Sequence, residues 1–289
     1  MFFDDYPLFY ETSETAASSQ RLNLRHHAMI DANRELLAGA RVLDLASHDG
    51  RWSFAALKAG AAHVTGVEAR RPLVDKARKT FAEYGVPTDT YDFIRGDLFQ
   101  VLKRKQFDVD LVLCFGFVYH TLRYPELFRA IMDARPRHVL LDTKVIRAKQ
   151  PLVRLLVNNT GVQSNAVSDQ TSHGRRAVAG WPSLSALVMM LDVYGIGVEE
   201  QYDWPSLLAA HSGERGQKSL VDYRTGHRVT LRCRARPEVT LVPGARELSS
   251  SRSTTRLTGA AKRSREKFGV AVRRGLSPVG RPKMRHSNP

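Results

Sequence analysis

Short apolar runs alternate with helical segments through the first half of the chain, and this alternation limits the fold more than any other feature. The runs at residues 42–45, 111–115 and 139–141 are almost continuously apolar. Residues 71–84 have the spacing of an amphipathic helix. Strands that are apolar on both faces belong to parallel sheets covered by helices on both sides. We therefore expect an α/β fold with a doubly wound, mostly parallel sheet.

The remaining segments extend this pattern. The predicted strands occupy residues 41–46, 63–67, 91–95, 108–115, 138–142, 198–204 and 228–232. The predicted helices occupy residues 28–37, 51–59, 71–84, 125–134 and 182–194. We divide the chain into a lead-in segment (1–40), a main domain (41–233) and a tail (234–289). Residues 144–182 form a polar insertion that is too long for a plain connection, which predicts a lid over a binding site.

The basic character of the chain is concentrated in its tail. The formal net charge is +15 over 289 residues. Residues 234–289 contain 14 Lys or Arg and 3 Asp or Glu, whereas residues 1–233 contain 30 and 26. The tail is rich in Ser, Thr, Pro and Gly, so we expect residues 245–289 to be mostly disordered, apart from a short basic helix within 259–275. A solvated tail without a partner, contact with nucleic acid and contact with an anionic membrane all fit this composition.

The cysteines and the apolar runs indicate a cytoplasmic protein. Cys114 and Cys233 both lie in apolar runs and are predicted to be buried thiols rather than a disulfide or a zinc site. No apolar run approaches the roughly 20 residues that span a bilayer. The acidic, aromatic N-terminus is unlike a secretory signal. We expect a cytoplasmic location, peripheral at a membrane surface if the basic tail binds lipid.

The segment most informative about chemistry is VLDLASHDGRWS at residues 42–53. It predicts a buried strand, a small polar turn and a helix, an arrangement that brings backbone close to a ligand at the carboxyl edge of a sheet. It is neither a G-x-G-x-x-G fingerprint nor a phosphate-binding P-loop. The N-terminus of its helix favours an anionic group such as a carboxylate. Glu68 ends the next strand, where its carboxylate can accept hydrogen bonds from both hydroxyls of a ribose.

Together with RGDL at residues 95–98 and FDVDLVLC at 107–114, these segments resemble the class I S-adenosylmethionine-dependent methyltransferases. The resemblance covers about residues 40–145 and extends more loosely to 233. The family's first strand typically reads V-L-D-x-G-x-G-x-G, so Ala46 and His48 stand where it has glycine, and Gly50 is retained. The resemblance implies a Rossmann-like, seven-stranded, mostly parallel sheet with an antiparallel last strand, and S-adenosyl-L-methionine as cofactor.

The resemblance also implies a set of cofactor-binding residues. They are Asp44, Ala46, Ser47, His48, Asp49, Gly50, Glu68, Ala69, Asp97, Leu98, Cys114, Phe115 and Gly116. Asp44 would hold the cofactor's amino group or cap the following turn. Asp97 would lie beside the adenine, cap the next helix, or do both.

The stretch FGFVYHTL at residues 115–122 is similar to a G-x-V-Y-H stretch found in small-molecule and sugar O-methyltransferases and in a group resembling wobble-uridine carboxymethyltransferases. The resemblance implies His120 and Tyr119 as catalytic candidates. An imidazole near its ordinary pKa of about 6.5 could take a proton from a hydroxyl, although a histidine at a helix start can equally bond to backbone. Asp142 could position the substrate or hold a divalent metal, or cap its strand. No compact metal-ligand spacing supports a metal.

Further polar residues are candidates for contact with the substrate. Lead-in segments cover the substrate in related enzymes, and here the lead-in places His26 and His27 near two arginines. In the insertion, three basic residues could contact an acidic acceptor, although a solvated loop fits them equally well. The candidates from both segments are Arg21, Arg25, His26, His27, His173, Arg175 and Arg176.

The expected function is O-methylation of a small metabolite, sugar or lipid-linked glycan. A tRNA- or rRNA-modifying methyltransferase that uses the Arg-rich tail is the enzymatic alternative. It would bind RNA with a steep dependence on salt. A binding or scaffold protein with a degenerate cofactor pocket is the alternative that is not an enzyme, because two of the usual glycines are replaced.

Overall fold

A seven-stranded sheet forms the centre of the fold. The computed structural model describes residues 1–12, 19–212 and 217–236, without the side chains of 217 and 218. The strands are β1 (Arg41–Leu45), β2 (His63–Glu68), β3 (Tyr91–Arg95), β4 (Leu111–Phe115), β5 (His138–Lys144), β6 (Val153–Asn159), β7 (Arg176–Pro182), β8 (Ile196–Gln201) and β9 (Arg228–Ala235). The main sheet has the order β3-β2-β1-β4-β5-β9-β8, and β6 pairs with β7 in a separate two-stranded sheet.

The strand directions confirm the predicted sheet. Strands β1 to β5 are parallel to one another. Strand β9 is antiparallel to both β5 and β8, so the last strand is antiparallel as expected. The predicted strand at 198–204 is displaced, because Asp203 caps a helix that begins at Trp204 by accepting a hydrogen bond from the Ser206 backbone N–H.

Helices cover both faces of the sheet. They are α1 (Ser19–Met29), α2 (Arg34–Leu37), α3 (Arg51–Lys58), α4 (Arg71–Glu83), α5 (Leu98–Arg104), α6 (Tyr124–Asp133), α7 (Leu184–Val193), α8 (Trp204–Ala210) and α9 (Val221–Arg224). Helices α3 and α4 pack on one face with α1, and α5, α6 and α7 pack on the other. Strands buried on both faces account for the near-continuous apolar runs in the sequence.

Alternate residues of the central strands point into the two helical layers. In β4, Val112 and Cys114 pack with α6, whereas Leu111 and Leu113 pack with α3 and α4. This period of two is that of a pleated strand. Cys114 and Cys233 are free and buried, as predicted.

The lead-in segment packs against the sheet's α3 side. Phe3 and Phe9, from two short 3-10 helices, are buried against α3, where Phe3 packs on Trp52 and Phe9 on Phe54. The predicted helix at 28–37 is two separate helices, because the chain turns at Asp31–Asn33 between α1 and α2. The main helix of the lead-in segment, α1, therefore begins at Ser19, nine residues before the predicted start.

The polar insertion contains the hairpin of β6 and β7, which the sequence indicates only weakly. Residues of this insertion line a cavity at the carboxyl edge of the main sheet. The predicted tail at 245–289 and its basic helix at 259–275 lie outside the described residues.

Candidate functional site

A cavity of about 830 Å³ opens at the carboxyl edge of the parallel strands. Its wall includes Ala46 after β1, Glu68 ending β2, Asp97 after β3, Phe115 ending β4 and Lys144 ending β5. The N-terminal segment, α1 and the 144–182 insertion complete the wall. Ligands of open α/β sheets bind in such a crevice, where neighbouring connections leave the sheet on opposite faces.

The loop after β1 has the backbone conformation of a glycine-rich turn although two of its residues are not glycine. Ala46 and His48 adopt φ values of 54° and 56°, and Gly50 adopts 77°. This left-handed region disfavours residues with a Cβ. A Cβ on Gly50 would also lie 2.7 Å from the ring of Phe93. Ala46 and His48 therefore adopt the left-handed conformation that glycine usually supplies.

Glu68 holds this loop in place. Its Oε2 accepts the His48 backbone N–H at 3.0 Å, and its Oε1 accepts that of Arg70 at 2.8 Å. An ionised carboxylate has about four acceptor sites, so oxygen lone pairs remain for a ligand. Glu68 lines the cavity and is 8 % exposed, which places a fixed acceptor at its wall.

Two buried aspartates support the loop from behind. Asp44 accepts a hydrogen bond from the Ser53 hydroxyl at 2.6 Å, and burial raises the pKa of Asp44 to about 7. Asp49 forms an ion pair with Arg51, whose Nε lies 2.7 Å from Oδ1. Burial opposes ionisation of Asp49, but Arg51 more than offsets it and lowers the pKa of Asp49 well below its ordinary value. The Thr12 hydroxyl also donates to Asp49.

The predicted cofactor and catalytic residues divide into two groups. Those on the cavity wall are Ala46, His48, Glu68, Ala69, Asp97, Leu98, Phe115, Gly116, Tyr119 and His120. Those buried behind the wall are Asp44, Ser47, Asp49, Gly50 and Cys114. Asp97 is the N-cap of α5, where it accepts the Gln100 backbone N–H at 3.0 Å.

Tyr119 and His120 lie on a 3-10 turn that follows β4. Their ring centroids are 4.2 Å apart. The Asn158 Nδ2 lies 3.1 Å from His120 Nδ1. An amide N–H donates, so Nδ1 accepts and the imidazole proton lies on Nε2. Burial, with help from Lys144 and Arg228, lowers the pKa of His120 to about 3. In this state the imidazole is neutral, its Nδ1 accepts a hydrogen bond from the Asn158 amide, and its Nε2–H is a hydrogen-bond donor.

Asp142 is the centre of a buried ion-pair network rather than a strand cap. It accepts hydrogen bonds from Arg228 Nε at 2.7 Å and from Arg25 Nη2 at 3.1 Å. Tyr223 and Thr230 donate to its other oxygen, each at 2.8 Å. Burial opposes its ionisation, but the two arginines hold the pKa of Asp142 at about 2. Within the described ranges, no group of three His, Cys, Asp or Glu side chains is arranged to hold a metal.

The other polar candidates are only partly at the cavity. Arg21 and Arg25 line it. The other candidates lie elsewhere in the fold; they are His26, His27, His173, Arg175 and Arg176. Sequence reasoning did not single out Lys144 or Arg228, which also line it. In the part of the chain that the structure describes, no helix is both long and apolar enough to cross a bilayer.

Comparisons with known proteins agree with this geometry. Residues 42–136 match a family model described as a methyltransferase domain. The chain is 33 % identical over 67 residues to the ribosomal RNA large subunit methyltransferase I of Pseudoalteromonas translucida. That match covers 23 % of this chain and 17 % of the relative, so the chain spans only about a sixth of the relative's length.

Solved structures show the same fold. A protein from Listeria monocytogenes, classed with the S-adenosylmethionine-dependent methyltransferases, has a TM-score of 0.51 at 10 % identity, covering 74 % of this chain and all of that one. The N-terminal domain of EvdMO1, solved with SAH bound, has a TM-score of 0.50 at 17 % identity, covering 78 % and 84 %. Residues 42–136 thus match a methyltransferase domain, and the described part of the chain has the fold of S-adenosylmethionine-dependent methyltransferases.

Proposed function

We propose that this chain is a class I methyltransferase that binds S-adenosylmethionine in the cavity and transfers its methyl group to an oxygen of a small acceptor. One observation supports the binding of S-adenosylmethionine. The Glu68 carboxylate lies on the cavity wall and accepts the backbone N–H of the left-handed loop after β1. A fixed carboxylate beside such a turn is suited to two vicinal hydroxyls, the recognition feature of a ribose.

The cavity fits a nucleoside cofactor with space for an acceptor. Its volume of about 830 Å³ lies in the upper part of the range of small-molecule sites. Leu73, Leu98 and Phe99 line it near Asp97 and offer apolar surface to a base. Ala46 and His48, with left-handed φ values, also line the cavity.

When bound, S-adenosylmethionine supplies an activated methyl group, so the protein's work is chiefly orientation and electrostatics. Glu68 would accept the ribose hydroxyls. Tyr119 and His120, which follow β4, would border the acceptor. With Nδ1 occupied by Asn158, the His120 Nε2–H is available to donate to the acceptor and hold it in line.

The segments that surround the cavity favour a small acceptor over a folded RNA. Segment 1–12, α1 and the insertion all contribute to its wall. RNA remains the second candidate because of the short match to ribosomal RNA methyltransferases and the basic tail. Its phosphate contacts would make binding steeply dependent on salt.

Calorimetry with S-adenosylmethionine tests the cofactor, and transfer of a tritiated methyl group to fractionated cell extract tests the acceptor. We expect label in a small-molecule fraction, at similar rates in low and high salt, and no transfer by a Glu68→Ala variant. Absence of binding at millimolar cofactor would contradict the enzymatic proposal and favour a scaffold. Label confined to RNA, with a rate that falls steeply with salt, would favour the second candidate.

A further inference from the structure

Two basic side chains meet at the end of the cavity opposite Glu68. Lys144 ends β5 and Arg228 begins β9, and the two are direct partners in the antiparallel ladder. Both line the cavity. The Lys144 Nζ and the Arg228 Cζ lie 5.1 Å and 5.4 Å from the centre of the Tyr119 ring. The catalytic candidate Tyr119 is therefore flanked by two cations.

The nearby carboxylates offset only part of the positive charge of these basic side chains. Arg228 and Arg25 share the single charge of Asp142. Arg21 is paired with Asp222 at 2.7 Å. In the described ranges, no carboxylate lies within salt-bridge distance of Lys144.

Aromatic rings rather than an acid surround the ammonium of Lys144. It lies 5.1 Å from the ring centres of both Tyr119 and Trp181. Cation–π contacts stabilise a cation without neutralising it. Arg21, Arg25, Lys144 and Arg228 thus carry two positive charges more than Asp142 and Asp222 offset.

The basic cluster also has a hydrogen-bond donor without a partner. The Arg25 Nε is buried and, among the described residues, has no hydrogen-bond partner. The Arg228 side chain is only 4 % exposed. Lys144, whose charge no described carboxylate offsets, is half-buried, and an anion that approaches it would offset the cost of its partial desolvation. Burial, and after it the charges of Lys144 and Arg228, lower the pKa of His120. The effect of these two cations agrees with a net positive charge at this end of the cavity.

The cluster lies on the acceptor side of the site. In the sheet order, β5 is three strands from β2, which corresponds to about 14 Å at the usual strand spacing. The loop after β1 and Glu68 form the other half of the edge. An anion bound between Lys144 and Arg228 would therefore lie beyond the cofactor, next to Tyr119.

We propose that the methyl acceptor is an anion whose carboxylate or phosphate group is held by Lys144, Arg228 and Arg25. This inference rests on the proposed function, since it assigns the acceptor class of the same cavity. Lys144 is the specificity residue, because its charge is the one without a carboxylate. Arg228 and Arg25 orient the group through their remaining N–H donors.

The test uses three probes of similar shape: benzoate, phenyl phosphate and the neutral benzamide. Each is titrated by calorimetry into the full chain, with and without saturating SAH. We expect benzoate or phenyl phosphate to bind at least tenfold more tightly than benzamide in both states, and the tighter of the two identifies carboxylate or phosphate. Lys144→Met should remove most of this preference and leave SAH affinity within about twofold. Lys149→Met, at an exposed lysine outside the cavity, is the matched control and should keep the preference for the anionic probes.

Three results would overturn the inference. Equal affinity for all three probes would mean that no anion subsite exists. A preference that survives Lys144→Met in a variant with wild-type melting would remove the lysine from the site. Competition between benzoate and SAH, or a tenfold loss of SAH affinity in Lys144→Met, would assign the cations to the cofactor. Failure to bind SAH would contradict the proposed function separately, because the probe titrations without SAH still measure the subsite.

Discussion

Glu68 accepts the backbone N–H of His48 at 3.0 Å, across the gap between the ends of β2 and β1. The same carboxylate accepts the Arg70 N–H at 2.8 Å. One side chain therefore fixes the first loop and presents acceptor oxygens to the cavity. Under the proposed function, both cofactor binding and the order of this loop depend on Glu68.

Changing Glu68 to Gln should weaken SAH binding at least tenfold and lower the free energy of unfolding by about 1–2 kcal/mol. The amide nitrogen of Gln cannot accept, so one of the two backbone N–H groups loses its partner. Calorimetry with SAH and urea denaturation measure the two effects. Glu83→Gln, at an exposed position of α4, should change neither. Unaltered SAH affinity in Glu68→Gln would remove the carboxylate from the cofactor site.

Ala46→Gly should stabilise the protein by about 0.5–1 kcal/mol. Ala46 has a φ of 54°, and a left-handed residue with a Cβ costs roughly 1–2 kcal/mol, part of which the greater freedom of an unfolded glycine offsets. Urea denaturation measures the change. Ala55→Gly, inside α3, is the comparison and should destabilise by about 1 kcal/mol or more. Equal destabilisation by both substitutions would contradict strain at Ala46.

The central sheet could be predicted from the sequence because its strands are buried on both faces. VLDL at residues 42–45 and LVLCF at 111–115 allow few structures besides buried strands, and both are strands here. Ala46 and His48, which stand where the family usually has glycine, said less about the conformation of the turn. Glycine signals a left-handed turn directly, whereas here the sheet and Glu68 impose that conformation on residues that do not prefer it.

The cationic end of the cavity could not be predicted. Arg25, Lys144 and Arg228 are separated by more than 80 residues from one another, and each alone is an ordinary basic residue near an element's end. They meet because α1 crosses the sheet edge and because β9 pairs with β5. The predicted strand ends at Asp142, so a cap was a reasonable interpretation, but β5 continues to Lys144. Its two arginine partners depend on the antiparallel register of a strand 86 residues later.

Asp44→Asn should stabilise the protein increasingly as pH rises. Burial raises the pKa of folded Asp44 to about 7, above its value of about 4 in the unfolded chain. The folded state therefore binds the proton more tightly, and the stability that Asp44 contributes is complete below about pH 4 and lost as pH rises through 7. An amide at this position does not titrate.

Urea denaturation at pH 5 and pH 8.5 measures this difference. We expect the stability of Asp44→Asn relative to wild type to rise by about 2 kcal/mol between the two values. Asp89→Asn, at an exposed position, controls for the loss of one charge. A relative stability that is flat with pH would mean that Asp44 ionises in its ordinary range.

Asp142 and Arg228 should be strongly coupled in a double-mutant cycle. Asp142 is fully buried and the Arg228 side chain is 4 % exposed, so removing either partner leaves a buried charge without its main counter-ion. Asp142→Asn or Arg228→Met alone should each cost about 3–5 kcal/mol. The double variant should cost less than the sum, with a coupling of about 2 kcal/mol or more. Arg71 and Asp75, an exposed pair one turn apart on α4, form the control cycle and should give at most about 0.5 kcal/mol. Additive effects at the buried pair would mean that Arg25 alone balances Asp142, and Arg228 would then be free to hold the acceptor with its full charge.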